Sequence, residues 1–282
     1  MPGSHPHDLA ELARMSPRPD IRLIATDMDG TLVDDAKQIH DELWPLIDEL
    51  HARGITFCPA SGRQYENLVQ EFEGVAHELV FIAENGAYVV ARGKEISSDC
   101  LALEVARQVV SRVRGIPEAG AVLCGKRSAC IERRDTPFVD QVTLYYTRLK
   151  VVDDLLAVPD DDVLKVAIYD FASAERNTAP RLTGLGGSHQ VVVSGAHWVD
   201  VLSQTANKGQ AVRQVQKTLG VTPDQTMVFG DFLNDLEMMD AATYSFAMAN
   251  AHPLLKERAG WVAPTNNANG VVRTIRTVLG LG

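Results

Sequence analysis

Residues 21–31 run Ile21-Arg22-Leu23-Ile24-Ala25-Thr26-Asp27-Met28-Asp29-Gly30-Thr31. The first six are mostly apolar and partly β-branched, the composition of a buried strand, and the glycine lets the chain turn where the strand ends. Asp27 and Asp29 flank Met28, so the two-residue period of an extended chain aims both carboxyl groups the same way. Two acids held side by side repel, and one takes up a proton unless Mg²⁺ neutralises the pair or one serves as an acid catalyst. The competing reading of this pair alone is an Asx turn closing a strand, a use to which Asp-Gly is often put.

Downstream, Ile39, Leu43, Leu46, Ile47 and Leu50 recur at three and four, which predicts a helix over 39–50 with Gly54 as its stop. A second strand over 55–58 enters Pro59-Ala60-Ser61-Gly62-Arg63, and a helix over 64–72 leads to a third strand over 79–83 closed by Glu84-Asn85-Gly86. Strand and helix in alternation predict a parallel sheet with helices on its faces. After Gly86 the rhythm breaks. Residues 87–91 and 94–97 flank Arg92-Gly93 like a hairpin, and helices over 101–114, 136–144 and 174–185 mix with strands over 121–124, 129–132, 164–169 and 190–194. Asp160-Asp161-Asp162 reads as a solvated turn. From Asn207 the alternation resumes, with helices over 208–219, 233–239, 253–258 and 271–279 and strands over 226–229 and 244–247.

The expected fold is therefore α/β: a Rossmann-like parallel-sheet core over 21–86 and 204–282, interrupted by an α+β cap over 87–203 that would rock as a lid on linkers near 86 and 204. Residues 1–20, with four prolines, read as a flexible extension holding a short helix over 9–15, without the apolar core of a signal peptide. A chain of 282 residues suits two domains at about 150 residues each. With 45% hydrophobic and 23% charged residues it has a globular composition, and no apolar run reaches the length of a membrane span. The net charge of −10 argues against a nucleic-acid or anionic-membrane binder, so a phosphate ligand needs local positive charge. Cys58, Cys100, Cys124 and Cys130 form no CxxC pair, which fits a reduced cytoplasm. Cys58, next to the 59–63 turn, reads as core, and His5 and His7 as part of the extension. Oligomeric state leaves no mark in the sequence.

A second acidic turn follows a strand at Gly230-Asp231-Phe232-Leu233-Asn234-Asp235, where Asp231 and Asp235 are four apart on one helix face. Ligands of open α/β sheets bind at the carboxyl ends of the strands, so Asp27, Asp29, Ser61 and Asp231 are expected to converge there. Such an oxygen-rich set suits Mg²⁺. Lys208 alone would be an ordinary first-turn lysine; beside these acids, with Ser61 and backbone amides, it completes a donor set for a phosphoryl group.

Taken in order, Asp27-Met28-Asp29-Gly30-Thr31, Ser61-Gly62-Arg63, Lys208-Gly209 and Gly230-Asp231-Phe232-Leu233-Asn234-Asp235 resemble the motifs of the haloacid dehalogenase superfamily of phosphohydrolases. The insert between the second and third motifs, Glu84-Asn85-Gly86-Ala87, Ser194-Gly195-Ala196-His197-Trp198 and Ala247-Met248-Ala249-Asn250-Ala251 are similar to its Cof-type branch, mostly sugar-phosphate and cofactor-phosphate phosphatases. The resemblance implies that Asp27 is the nucleophile of an aspartyl-phosphate intermediate and that Asp29 protonates the leaving oxygen and then activates water. It implies Mg²⁺ held by Asp27, the Asp29 carbonyl and Asp231, with Asp235 orienting metal-bound water. Ser61, Gly62, Lys208 and Asn234 would bind phosphate, and Arg63, Asn85 and Asn250 are candidates for substrate contact. Arg63 equally suits pairing with an acid. His197-Trp198 would pack near the cap hinge or wall the substrate. Gln204-Thr205-Ala206-Asn207 lacks the glycine the family often has before the motif lysine, and Ala249 replaces the usual glycine.

The expected activity is a Mg²⁺-dependent phosphatase of a small phosphorylated metabolite. The same motifs serve a phosphomutase or phosphotransferase. A non-catalytic phosphometabolite sensor would be expected to have lost one of Asp27, Asp29, Asp231 and Asp235, all of which are present.

Overall fold

The structure is a computed structural model and describes residues 12, 14–157, 161–185 and 188–281. His5, His7 and Asp160 lie outside the described residues, as does most of the helix expected over 9–15.

In chain order the strands are β1 (Leu23–Thr26), β2 (Thr56–Pro59), β3 (Val80–Ala83), β4 (Tyr88–Ala91), β5 (Lys94–Ser98), β6 (Ala119–Gly125), β7 (Ala129–Ile131), β8 (Leu149–Val151), β9 (Val163–Asp170), β10 (His189–Val193), β11 (Trp198–Ser203), β12 (Thr226–Gly230), β13 (Tyr244–Met248) and β14 (Trp261–Ala263). The α-helices are α1 (Leu43–Ala52), α2 (Tyr65–Glu71), α3 (Leu103–Val113), α4 (Thr136–Thr143), α5 (Lys208–Leu219), α6 (Leu236–Met239), α7 (Pro253–Arg258) and α8 (Gly270–Leu279). The core sheet is parallel in the order β14-β13-β12-β1-β2. Its central strands are apolar on both faces, as a sheet covered by helices on each side requires: Leu23, Ile24, Ala25, Met227, Val228 and Phe229 are all fully buried. Since β1 and β12 are parallel neighbours, Thr26 facing Phe229, Asp27 and Asp231 leave the sheet side by side.

The third strand departs from the expected parallel order. One parallel bridge from Ala60 to Ile82 ties β3 to the end of β2, and β3 otherwise pairs antiparallel with β4, which pairs with β5. The hairpin expected at the start of the insert therefore belongs to a sheet containing β3, and Val89 packs in the same core as β1 and β12. We propose that the cap begins after Ser98 rather than at residue 87.

The cap is a six-stranded sheet in the order β10-β11-β9-β6-β7-β8. Its two-residue alternation sends Val166, Ile168, Val199 and Val201 to the face packed with α3, and Ala167 and Tyr169 to the face packed with α4. Lys165, Tyr169, Trp198 and Asp200 share the second face by the same register. Three strands, the short β8 and β14 and the six-residue β11, are additional to the sequence expectation. The helix expected over 174–185 is instead a π turn (Ala174–Thr178) followed by a 3₁₀ turn (Ala179–Leu182), since Pro180 has no N–H to continue an α-helix. Residues 233–239 begin as a 3₁₀ turn before α6. The two crossings into the cap lie together: Thr205 Oγ1 donates to Asp99 Oδ2 at 2.6 Å, and Ala87, Leu164, Leu202 and Ala206 form a small apolar cluster beside them. No helix among the described residues is long and apolar enough to cross a membrane.

Phe229 in β12 is fully buried and stacks on Phe246 of β13 at 4.9 Å. Phe229→Ala is expected to lower stability by about 3–5 kcal/mol; a urea-unfolding loss under about 1 kcal/mol would contradict this placement.

Candidate active site

The acidic turns meet as their strands dictate. Carboxylate oxygens of Asp27, Asp231 and Asp235 lie within 4.8 Å of one another. The turn at Gly30 (φ 82°) presses against Asp231: a Cβ there would stand 2.3 Å from Asp231 Oδ2, so the position requires glycine for space as well as for backbone conformation. Thr31 Oγ1 donates to Asp231 Oδ1 at 3.3 Å.

Lys208 is fully buried and is the cation of this cluster. Its Nζ donates to Asp27 Oδ1 at 2.5 Å and to Asp235 Oδ1 at 2.7 Å, which uses two of the three N–H donors of the ammonium. Asn207 caps α5 by accepting from Gln210 N at 2.8 Å, which starts the helix with Lys208 aimed at the acids. No glycine is needed before it, because the close approach is made by Gly86, where a Cβ would meet Asn207 O at 2.3 Å. Asp235 Oδ2 accepts from the backbone N–H groups of Asp231 and Phe232 at 3.0 and 3.3 Å, holding the second acidic turn closed.

Burial pushes the Asp27 carboxyl up to about 7; the Lys208 charge opposes this, and the negative charges of Asp235 and Asp29 add to it. Burial, reinforced by Asp27 and Asp235, pushes Asp231 up to about 9. One ammonium does not balance these acids, and three converging carboxylates without nitrogen or sulfur donors are the set a hard divalent cation such as Mg²⁺ prefers. The residues fit that ion.

Asp29 stands apart from the three. It is gripped in bidentate fashion by Arg63 (Nε to Oδ2 at 2.8 Å, Nη2 to Oδ1 at 2.9 Å) and receives Lys37 Nζ at 3.0 Å. Burial alone would raise its pKa, but these two cations hold the carboxyl below the usual carboxylate range. Arg63 also donates to Glu71 Oε1 at 3.0 Å and sits over the Tyr145 ring, so of its two expected uses the structure shows pairing with an acid.

Ser61 is buried and its Oγ accepts from Arg63 N at 3.2 Å, which leaves the hydroxyl proton free to donate. Asn234 Nδ2 donates to Asn85 Oδ1 at 2.9 Å, and Asn85 Nδ2 donates to Asp200. Asn85 and Asn250, both expected at the substrate, are placed elsewhere. Asn85 is buried behind Asn234, while Asn250 is exposed and spends its amide on Gly30 O and Asn266 N.

A cavity of about 570 Å³ opens over this floor. Asp27, Ser61, Gly62, Asp231 and Asn234 line its base, and Tyr145, Tyr169, His197 and Trp198 from the cap form its far wall. Trp198 meets Tyr145 at 5.4 Å and Tyr169 at 5.1 Å, both edge to face. Lys37, Tyr145 and Tyr169 were not singled out by the sequence. The tyrosines reach the site only through cap packing, and Lys37 only through its left-handed turn (φ 62°).

This arrangement of four motifs around one sheet edge with a cap above it is that of the haloacid dehalogenase-like hydrolases, whose family match spans residues 24–275. The chain belongs to that family, in its Cof-type branch, and is a phosphatase. Among its relatives, the 5-amino-6-(5-phospho-D-ribitylamino)uracil phosphatase of Escherichia coli is 33% identical over 267 residues, 92% of this chain and 96% of that one. The HMP-PP phosphatase of Cronobacter sakazakii is 29% identical, covering 83% and 86% of the two chains. A solved Streptococcus mutans structure superposes with a TM-score of 0.86 at 25% identity over 92% of this chain and 99% of that one.

The raised acids define a pH test. Their folded values of about 7 and 9 exceed the ordinary 3.8, so the stability tied to their protonation is complete below about pH 4 and is lost as pH rises through 7 and 9. The thermal midpoint in chelator is expected to fall between pH 5 and pH 9, and saturating Mg²⁺ to flatten that fall. Equal slopes with and without Mg²⁺ would show that the acids do not bind it.

Proposed function

We propose that the protein hydrolyses the phosphate ester of a small metabolite through an aspartyl-phosphate on Asp27, with Mg²⁺ as its metal. The carrying observation is the convergence of Asp27, Asp231 and Asp235 within 4.8 Å of one another, with the buried ammonium of Lys208 bonded to the first and the third. Asp27 attacks phosphorus, the ester P–O bond breaks, and the leaving oxygen takes a proton from Asp29. Water then attacks the aspartyl-phosphate and gives its proton to Asp29, returning Asp27 and releasing phosphate. Lys208 and Ser61 keep a donor each for the phosphoryl oxygens. When bound among Asp27, Asp231 and Asp235, the ion supplies charge neutralisation that lets an anionic nucleophile approach an anionic phosphoryl group. The ionised state of Asp29 suits its role as base; its role as acid requires that the Arg63 fork loosen and exposed Lys37 leave it as substrate enters.

For the leaving group we propose a molecule with a flat heteroaromatic ring. The wall of Tyr145, Tyr169, His197 and Trp198 offers stacking faces and edges for such a ring, and Gln141 and Ser194 line the same cavity with polar groups for the rest of the molecule. Two of the relatives are named for phosphorylated ribitylaminouracil, which carries such a ring.

Asp27→Asn is expected to abolish phosphate release from 5-amino-6-(5-phospho-D-ribitylamino)uracil and from p-nitrophenyl phosphate while circular dichroism is unchanged. Appreciable remaining turnover would refute the nucleophile. In a substrate panel with Mg²⁺, ring-bearing phosphates are expected to exceed hexose phosphates in kcat/KM by about tenfold or more, the scale of one stacking contact. Parity would refute the ring, and an isomerised product without free phosphate would refute hydrolysis.

A further inference from the structure

Behind the phosphate-binding turns lies a second buried ammonium that the proposed chemistry does not use. Lys165, on β9 of the cap, is 1% exposed. Its Nζ lies 2.6 Å from Gly62 O, 3.0 Å from Glu84 Oε2 and 3.1 Å from Asp200 Oδ1. The contact with Gly62 O is a hydrogen bond and the two carboxylates lie at ion-pair distance, so the ammonium that lines the cavity is committed to three protein oxygens. Glu84 is 1% exposed, and among the described residues its carboxylate oxygens accept no hydrogen bond, which leaves the Lys165 ammonium as the charge beside them. Burial pushes its carboxyl up to about 7 and the Lys165 charge works against that, so its ionisation depends on this lysine.

The oxygens Lys165 touches belong to two turns that are already joined. Glu84 N donates to Arg63 O at 3.0 Å and Asn85 N to Ser61 O at 2.9 Å. Glu84, Asn85 and Gly86 are left-handed in succession (φ 50°, 54° and 95°), a conformation that costs about 1–3 kcal/mol at each non-glycine and persists only where surrounding contacts impose it. Asp200, the third partner, takes a hydrogen bond from Asn85, whose Oδ1 fixes Asn234. Gly62, Asn85 and Asn234 therefore share one buried network centred on a cap residue.

We propose that Lys165 is a positioning residue for phosphate: from the cap sheet it clamps the 61–63 and 84–86 turns so that Ser61, Gly62 and Asn234 face the phosphoryl group. This rests on the assignment of those residues to phosphate under the proposed function.

The test uses the full chain with Mg²⁺, inorganic phosphate binding by calorimetry, and kcat and KM on p-nitrophenyl phosphate. Lys165→Met alone buries uncompensated carboxylates, so the informative protein is the charge-compensated double variant Lys165→Met with Glu84→Gln. Its thermal midpoint is expected to return towards the parent value while phosphate binds about tenfold weaker or more and kcat/KM falls in parallel, the scale of outer-shell partners. A folded double variant that binds phosphate like the parent overturns the proposal. If it does not fold, adding Asp200→Asn removes the remaining buried charge and the same weakening is expected; failure of both to fold assigns Lys165 to stability alone and also overturns it. A parent protein that neither binds phosphate nor turns over the ester refutes the phosphatase chemistry instead.

Discussion

The site depends on a shortage of positive charge. Parallel pairing of β1 with β12 delivers Asp27 and Asp231 to the same few ångströms, and closing the second acidic turn adds Asp235. The ammonium of Lys208 offsets part of their repulsion, and its burial makes that attraction strong by removing the competing water. What it leaves unbalanced is the opening for a divalent cation. The same shortage explains why Gly30 and Gly86 stand where side chains would strike Asp231 and Asn207. The chain has to bring its turns closer than side chains allow before one lysine can serve two carboxylates.

The other cations near the cavity are committed to acids in the same way. Arg63 and Lys37 hold Asp29, and Lys165 holds Glu84 and Asp200. A protein of net charge −10 thus receives an anion without a broad basic patch. It pairs its acids internally, with Ser61 among the cavity's lining and Lys208 buried beneath Asp27. Affinity for phosphate in such a site is governed by the placement of a few protons rather than by long-range field, which favours discrimination over capture.

The parallel core was legible because its strands are short apolar runs ending in Gly-containing turns, and α5 and α7 occupy the spans their periodicity predicts. β11 was not legible: Asp200 interrupts its apolar run, and only the fold shows that a carboxylate there meets Lys165 and Asn85. Lys165 itself was readable only as an oddity, a lysine inside the run Val163-Leu164-Lys165-Val166-Ala167-Ile168 that the strand period turns inward. The hairpin's membership was hidden because antiparallel pairing with β3 involves chain neighbours on both sides of the expected boundary. Asn85 and Asn250 carry the motif's spacing, yet their amides are taken by protein groups, which spacing cannot show. The aromatic wall is built from Tyr145 just beyond α4, Tyr169 of β9, and His197 and Trp198 where β11 begins, brought together only by cap packing.

The chain enters the cap beside the place where it leaves, with Asp99 and Thr205 in hydrogen-bond contact across the two crossings. To the core, more than a hundred residues therefore amount to a loop whose ends already touch, and loop-closure entropy grows only slowly with the length between them. The cap is in this sense a cassette: its contents can lengthen, shrink or change character over evolutionary time while the strand ends beneath it keep their register. One hydrolytic floor can then be fitted with many ceilings, each admitting a different leaving group.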